Sequence, residues 1–342
     1  MASQFTLNVV DQSPVRRGGT ASDALHESVR LAQAAEGWGY HRYWVTEHHN
    51  SRGLASPAPE ILIGQIAAKT ATIRVGSGGV MLSHYSALKV AEQFQVLETF
   101  YPGRIDLGLG RAPGSDQLAA AALAYPKSPV DIGHFPQQVV DVMGYLSNTM
   151  AEDHPFAKIA AQPGPPSEGI PEVWLLGSSD YSAQLAAALG LPFAYADFFG
   201  HTAEHGPLVA GIYRDQFQPS GYLQAPRLNV TLQVVCADTD ERAQFLASSR
   251  RMARVRQVDP NNRLGGMIPP EEASAYDLTD DERKVMEQFS QGFIVGDPAQ
   301  VRQGIIEAGE RYGTSDLAIV TNVFYFEERL RSYELVAKAV GE

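Results

Sequence analysis

The sequence predicts a single α/β domain built as a (β/α)8 barrel, a TIM barrel with insertions. Three observations predict it. Eight short apolar runs alternate with stretches of helical periodicity, and that alternation builds a mostly parallel sheet. Polar and titratable residues collect where the second, fourth and fifth runs end, the edge at which such barrels carry their sites. The chain of 342 residues exceeds the ~250 that one barrel commonly takes, and no repeat of fixed period divides it. The expected domain is 1–342.

Phe5 to Val10 is the first strand, released into Asp11-Gln12-Ser13-Pro14. Thr20 and Asp23 stand at capping-box spacing before a helix with Leu25, Val29, Ala32 and Ala35 on one face, stopped at Gly37 or Gly39. The second strand, Tyr43-Trp44-Val45-Thr46, runs into Glu47-His48-His49-Asn50, and Ser56-Pro57-Ala58-Pro59 leads to a helix carrying Ile61, Leu62, Ile66 and Ala67. The third strand starts at Ile73 and passes through Gly76-Ser77-Gly78-Gly79 to Val80-Met81-Leu82. Glycine inside a strand marks a bulge or a close backbone approach. A helix with Ala87, Val90, Ala91, Phe94 and Leu97 precedes the fourth strand, Arg104 to Arg111. A longer connection to about His134, containing the alanine run Ala119 to Ala122, precedes a helix over Val139 to Leu146.

The Pro- and Gly-rich stretch Pro163 to Pro171 would link two domains if there were two, yet the alternation resumes at once. Val173 to Leu176 is the fifth strand, followed by Gly177-Ser178-Ser179 and a helix through Ala183, Ala186 and Leu189 to Gly190. Phe193 to Ala196 is the sixth strand, Leu208 to Phe217 lies in its helix, and Leu228 to Val235 is the seventh, with Asp238 and Glu241 spaced to cap the helix after it. From 258 to 275 the periodicity gives way to Pro, Asn and Gly, and a connection this long is a candidate lid. Thr279 and Glu282 cap a further helix, and Asp297-Pro298 opens one bearing Val301, Ile305, Ala308 and Tyr312 that Gly313 ends. Leu317 to Val320 is the eighth strand, and Leu330, Tyr333, Val336 and Val340 stripe the last helix.

Composition narrows the function classes. With 44% hydrophobic and 19% charged residues the chain is globular rather than disordered. Cys236 stands alone, so an internal disulfide and the Cys-rich zinc patterns are excluded and a reducing compartment is expected. The formal net charge of −12 argues against a nucleic-acid surface, which needs a basic stripe to displace counterions. Arg250 and Arg251 with Arg254 and Arg256 are the one basic concentration, and they read as a solvated helix face. Met1 to Phe5 lacks the basic-then-apolar pattern of a signal peptide, and no apolar run approaches the ~18 residues of a membrane span. The expectation is a cytoplasmic protein without membrane or nucleic-acid partners.

Most catalytic motifs fail on inspection. Gly108-Leu109-Gly110-Arg111-Ala112-Pro113-Gly114 is no dinucleotide turn, because proline occupies the place of the third glycine. The phosphate loop, the nucleophile elbow and the His-Glu-x-x-His zinc helix are absent. Glu47-His48-His49 is open to three readings: metal ligands, an acid–base pair or a structural polar end. In extended backbone His48 and His49 point to opposite faces, and Asp197 is the best further ligand at the later strand ends. The turn Gly177-Ser178-Ser179-Asp180-Tyr181-Ser182 offers backbone N–H groups and hydroxyls at a helix start, where anions bind, and Arg111 can supply a bidentate cation to a phosphate there. Plain N-capping by Ser179 or Asp180 is the alternative.

Four segments, Tyr43 to His49, Arg74 to Leu82, Pro102 to Arg111 and Leu176 to Ser179, occur in the order in which the chain resembles the bacterial luciferase-like flavin monooxygenases. The resemblance runs over nearly the whole length and is most specific in the N-terminal third. It implies a (β/α)8 barrel that uses reduced FMN with O2 to oxygenate a small organic substrate. By the same resemblance His48 lies beside the flavin and assists proton transfer, with Glu47 and His49 in support. It also implies a non-prolyl cis peptide joining Ser77 to Gly78 beneath the ring, and a phosphate held by Arg111 with Gly177, Ser178, Ser179 and Ser182. No second nucleotide-binding segment is visible, so a separate NAD(P)H:flavin reductase is the expected partner. The family commonly forms dimers, here through the helices beside the second and third strands. A deazaflavin-dependent oxidoreductase, a non-catalytic flavin-binding protein and a metal-dependent barrel hydrolase are the alternative readings.

Overall fold

The computed structural model describes residues 5–167, 169–200, 202–258 and 266–341, with backbone alone at 254 and 256–258. The first half runs β1 (Thr6–Asp11), α1 (Ala21–Gly37), β2 (Arg42–Val45), α2 (Pro59–Ala67), β3 (Arg74–Met81), α3 (Ala87–Phe100), β4 (Ile105–Gly110), α4 (Gln117–Ala124) and α5 (Phe135–Ser147). The second runs β5 (Glu172–Gly177), α6 (Asp180–Leu189), β6 (Phe193–Ala196), α7 (Gly206–Asp215), β7 (Leu228–Cys236), α8 (Asp240–Val258), α9 (Pro270–Ala275), α10 (Asp280–Ser290), β8 (Ile294–Gly296), α11 (Pro298–Tyr312), β9 (Asp316–Val320) and α12 (Phe326–Gly341).

Strands β1 to β7 and β9 pair in parallel and close on themselves, β6 meeting β7 and β9 returning to β1. These eight are the eight strands that periodicity anticipates. The short β8 was not anticipated. It pairs only with the end of β7, Val234 opposite Ile294, and lies outside the ring. Three residues are too few to display a period of two.

Helix boundaries follow local chemistry. Thr20 and Thr279 form the reciprocal capping boxes that their spacing anticipates, Asp297 forms a further one with Gln300, and Gly190 and Gly313 end α6 and α11 in the left-handed conformation. At α8 the Asp238 cap is corrected: the Thr239 hydroxyl accepts from the Arg242 N–H, so the helix starts one residue later. The alanine run belongs to α4, capped by Asp116 but with no buried residue. Of the candidate lid, 259–265 lies outside the described residues. Its remainder is anchored, since Arg17 and Val15 exchange backbone hydrogen bonds with Met267, and Ile268 and Ala273 pack on Met252 and Val255 of α8. No helix among the described residues is long and apolar enough to cross a membrane.

Strand parity builds two cores. Outward residues such as Val9, Tyr43, Val75, Leu107, Leu175, Phe193, Leu232 and Ile319 meet the helices. Inward residues Val10, Trp44, Trp174, Ala194, Ala318 and Val320 fill the lumen, with the two indoles edge-on at 5.4 Å. Beneath them lies a polar floor. Asp106, with no exposed surface, accepts from Arg42 Nε (3.0 Å), Trp44 Nε1 (2.8 Å) and Arg74 Nε (2.8 Å). Arg227 donates to Glu172 at 2.6 Å, and Asn8 and Asn229 both donate to Asp316 at 2.7 Å. The N-terminal end of the barrel is therefore plugged, which leaves the C-terminal mouth as the end where a site can be built.

Replacing Asp106 leaves the Arg42 guanidinium, 2% exposed, without its nearest acceptor. Asp106→Ala is expected to cost about 3–5 kcal/mol, as removal of one partner of a buried pair does, and urea denaturation checks this. A loss below about 1 kcal/mol would show that Glu172 and Asp316 compensate.

Candidate functional site

The end of β2 divides the expected cluster between two faces. Thr46 continues the inward parity of Arg42 and Trp44, and its hydroxyl lies 3.0 Å from Nδ1 of His48. Glu47, 1% exposed, faces the other way. Its carboxylate accepts the Met81 N–H at 2.9 Å and the Tyr85 hydroxyl at 2.8 Å, and lies 2.7 Å from His49 Nε2. Burial and the Glu47 charge push the Tyr85 phenol far above its usual range, so it remains a donor. His49 packs edge-on against His84, at 5.6 Å between centroids. Glu47 thus ties the exits of β2 and β3 together while His48 goes with Thr46.

On β3 the expected cis position is corrected by one residue. The cis peptide joins Gly78 to Gly79. Ser77 is held in the regular ladder between Val45 and Leu107, and its hydroxyl donates to Gly108 O (2.9 Å) while accepting the Gly108 N–H (3.0 Å). The irregular segment begins only after this clamp, where the β3–β4 register shifts between Ser77 and Val80. Ser77 is therefore occupied within the sheet, and the bare backbone is Gly78-Gly79. A Cβ on Gly79 would stand 2.6 Å from Gly108 O, and one on Gly78 3.1 Å from Trp44 Cβ.

Arg111 leaves β4 beside Gly177, because Gly110 pairs with Leu176. Its guanidinium lies 4.1 Å over the ring of Tyr181 in the first turn of α6, and no ion pair engages it among the described residues. The capping alternative is not what forms. The Ser179 side chain makes no cap bond and meets the Ser182 hydroxyl at 3.1 Å, while Asp180 pairs with His205 at 2.7 Å. Gly177 is required here, since a Cβ would collide with the Ser182 side chain. The half-buried Ser178 completes the turn. Arg111, Gly177, Ser179 and Ser182 thus form one corner, in which the Ser182 N–H donates to Ser179 O at 3.1 Å and the Asp180 and Tyr181 N–H groups have no partner among the described residues.

Asp197, the best further metal ligand by sequence, turns away from the mouth. It shares parity with the outward Phe193 and Tyr195, pairs with Arg311 at 3.3 Å and receives the Thr202 hydroxyl at 3.4 Å. Burial pushes its carboxyl up to about 6, against the Tyr312, Arg311 and Thr202 contacts that pull it down. Among the described residues no three His, Cys, Asp or Glu side chains converge as a metal site.

One wall of the mouth escaped the sequence reading. Gln12, Gln233 and Asn322 are buried, the Asn322 amide donates to Gln12 Oε1 at 2.6 Å, and Gln233 donates to Val320 O at 2.9 Å. The expectation of a solvated basic face is corrected for the described pair. Arg250 is half-buried and donates to Gln233 Oε1 at 3.3 Å, and Arg251 reaches Gln244 at 2.9 Å. Inward parity was the available signal, since Gln12, Gln233 and Asn322 each fall two residues beyond an inward strand residue.

A closed parallel barrel with Arg111, the serine turn and the Gly78-Gly79 backbone at its C-terminal mouth defines the class: a (β/α)8-barrel protein. The chain belongs to the luciferase-like monooxygenase family, whose model matches residues 4–315. A luciferase-like monooxygenase of Escherichia coli strain K12 is 42% identical over 331 residues, 97% of this chain and 96% of that one. The N-acetyl-S-alkylcysteine monooxygenase of Bacillus subtilis is 36% identical over 337 residues, 98% of each chain. The crystal structure of apo-MsnO8 superposes with a TM-score of 0.89 at 38% identity, covering 98% of both chains. More distant matches include the oxygenase component of a flavin-dependent trigonelline monooxygenase of Acinetobacter baylyi, 22% identical over 67% of this chain and 64% of that one. The FMN complex of a Baeyer-Villiger monooxygenase from Pseudomonas putida, at 19% identity, TM-score 0.73 and 98% coverage of both chains, shares the fold.

Asp197 has a pH consequence. Its folded-state value of about 6 lies above the ordinary 3.8, so its contribution to stability is complete below pH 4 and is lost as pH rises through 6. The stability of Asp197→Asn relative to wild type is expected to improve by on the order of 2–3 kcal/mol between pH 4 and 7, read by denaturant unfolding at each pH. A constant difference would count against the buried carboxyl.

Proposed function

We propose that the protein is a flavin-dependent monooxygenase that uses reduced FMN and O2 to oxygenate a small organic substrate. The observation that carries this reading is the Arg111 corner beside α6, one strand away from the bare Gly78-Gly79 backbone. A phosphate and a flat ring joined by a short chain fit that pair of features. Bound reduced FMN would supply two electrons, so that one oxygen atom of O2 enters the substrate and the other leaves as water.

The chain's own residues take the remaining roles. Arg111, the α6 N–H groups and the hydroxyls of Ser178, Ser179 and Ser182 hold the phosphate. Gly78 and Gly79 let the ring approach the backbone, and Ser77 acts behind them as the clamp to Gly108. Thr46 orients His48 at Nδ1, and the His48 imidazole is the group that moves the proton. The 258–275 segment is the proposed lid against water.

A separate reductase is favoured by the name of the Acinetobacter relative, an oxygenase component. A homodimer is favoured by Ile61 (65% exposed) on α2 with Val96 and Phe100 (42% and 73%) on α3, an apolar face on the two helices beside β2 and β3.

Arg111→Ala is expected to weaken FMN binding by about 10- to 100-fold, the usual worth of a charged hydrogen bond, measured by fluorescence titration. His48→Ala should leave that affinity within about twofold and slow substrate oxygenation by at least 10²-fold. Failure of wild-type protein to bind oxidised or reduced FMN would sink the flavin reading, and binding of a deazaflavin alone would move it to that coenzyme. Unchanged turnover in His48→Ala would remove its role. Rapid NADH or NADPH oxidation by the purified protein alone would overturn the separate reductase.

A further inference from the structure

The corner assigned to the phosphate contains an acid. Asp180 is the acidic residue in the first turn of α6, one position before the Tyr181 ring on which the Arg111 guanidinium lies at 4.1 Å. An acid at a helix start suits the helix, because it meets the unpaired N–H groups and the positive end of the dipole. The same features draw a phosphate, so a carboxylate there competes with the proposed ligand. A carboxylate left loose at this position would either pair with Arg111 or face the phosphate.

Neither arrangement is what forms. No ion pair joins Asp180 to Arg111 among the described residues, and Asp180 Oδ1 instead accepts from His205 Nε2 at 2.7 Å. His205 stands directly before α7, the helix packed beside α6, so its bond draws the carboxylate along the helix layer. The segment that carries His205 is itself fixed. The Thr202 carbonyl accepts the Tyr195 hydroxyl and the Gly206 N–H, each at 2.9 Å, and the Thr202 hydroxyl donates to Ala196 O at 3.2 Å. A Cβ on Gly206 would collide with the Tyr195 and Tyr312 side chains, so the start of α7 rests directly on them. Both partners of the Asp180–His205 pair are about half exposed, and a pair so placed adds little to stability. Its consequence falls on the neighbouring corner.

We propose that His205 is a positioning residue for phosphate binding: it holds the Asp180 carboxylate turned away from Arg111, leaving the guanidinium and the α6 start to an anion. Asp180 then supports its helix without closing the site. The inference rests on the flavin reading for the identity of the anion. A pair that only tied α6 to α7 would leave ligand selectivity alone.

The preference for FMN over riboflavin, which lacks the phosphate, reads the corner apart from the ring. Fluorescence titration of the full chain with each is expected to give the wild type a preference of about 10- to 100-fold. His205→Ala should lower that preference by about three- to tenfold, as a partly screened charge beside a phosphate does, with riboflavin affinity kept within about twofold. The melting temperature should stay within a few degrees. Asp180→Asn should hold the preference at or above the wild-type value, and adding His205→Ala to it should change the preference by less than about twofold, because the histidine acts only through the acid. An unchanged preference in His205→Ala, a drop in Asp180→Asn, or no restoration in the double variant would overturn the positioning role and leave the phosphate corner standing. Equal binding of FMN and riboflavin by the wild-type protein would overturn the corner, and the role of His205 with it.

Discussion

The carboxylate of Asp106 is the constraint on which the rest of the barrel depends. It has no exposed surface, and a lone charge there would be prohibitively costly. Arg42, Trp44 and Arg74 each donate to it, so the bases of β2 and β3 are drawn to β4. The same bond fixes the Trp44 indole, whose edge meets Trp174 and fills the middle of the lumen. Space above a charged residue must also be kept: a Cβ on Gly76 would collide with Asp106 itself. Closure of the bottom and openness of the top thus trace to one buried acid.

Glu47 does at the mouth what Asp106 does at the floor. It gathers a backbone N–H from Met81, the Tyr85 hydroxyl and the His49 ring. These contacts hold the exit of β2 against the exit of β3, the two places where His48 and the bare glycines stand. The clamp of Ser77 on Gly108 completes the support from below. The residues proposed to face the ligand are few, and most of the polar residues around them serve to keep those few in place.

A net charge of −12 does not exclude the proposed phosphate corner, because at physiological salt exposed charges beyond about 8 Å are largely screened. What counts is the local donor set of one guanidinium, a helix start and small hydroxyl residues. The same locality applies to Arg250. By composition it belongs to a basic run on a helix, and by position it belongs to the lumen through Gln233.

Much was legible in the sequence because it depends on neighbours a few residues away. Eight strands, two capping boxes, two glycine stops, and the placement of His48, Arg111 and the serine turn at strand ends all follow from periods of two and 3.6 and from end chemistry. Other features needed the closed ring. The break in β3 falls after Ser77 rather than at it because Gly108, on another strand, takes its hydroxyl. Asp197 is outward and Gln12, Gln233 and Asn322 are inward because barrel closure assigns each parity class a face, and Arg250 is inward because of what α8 meets there. The sequence by itself determined the elements, the family and which polar residues stand at the strand ends. Only the tertiary structure decided which polar side chains share the mouth, since contacts between residues such as Gln12 and Asn322, far apart along the chain, leave no local periodic trace.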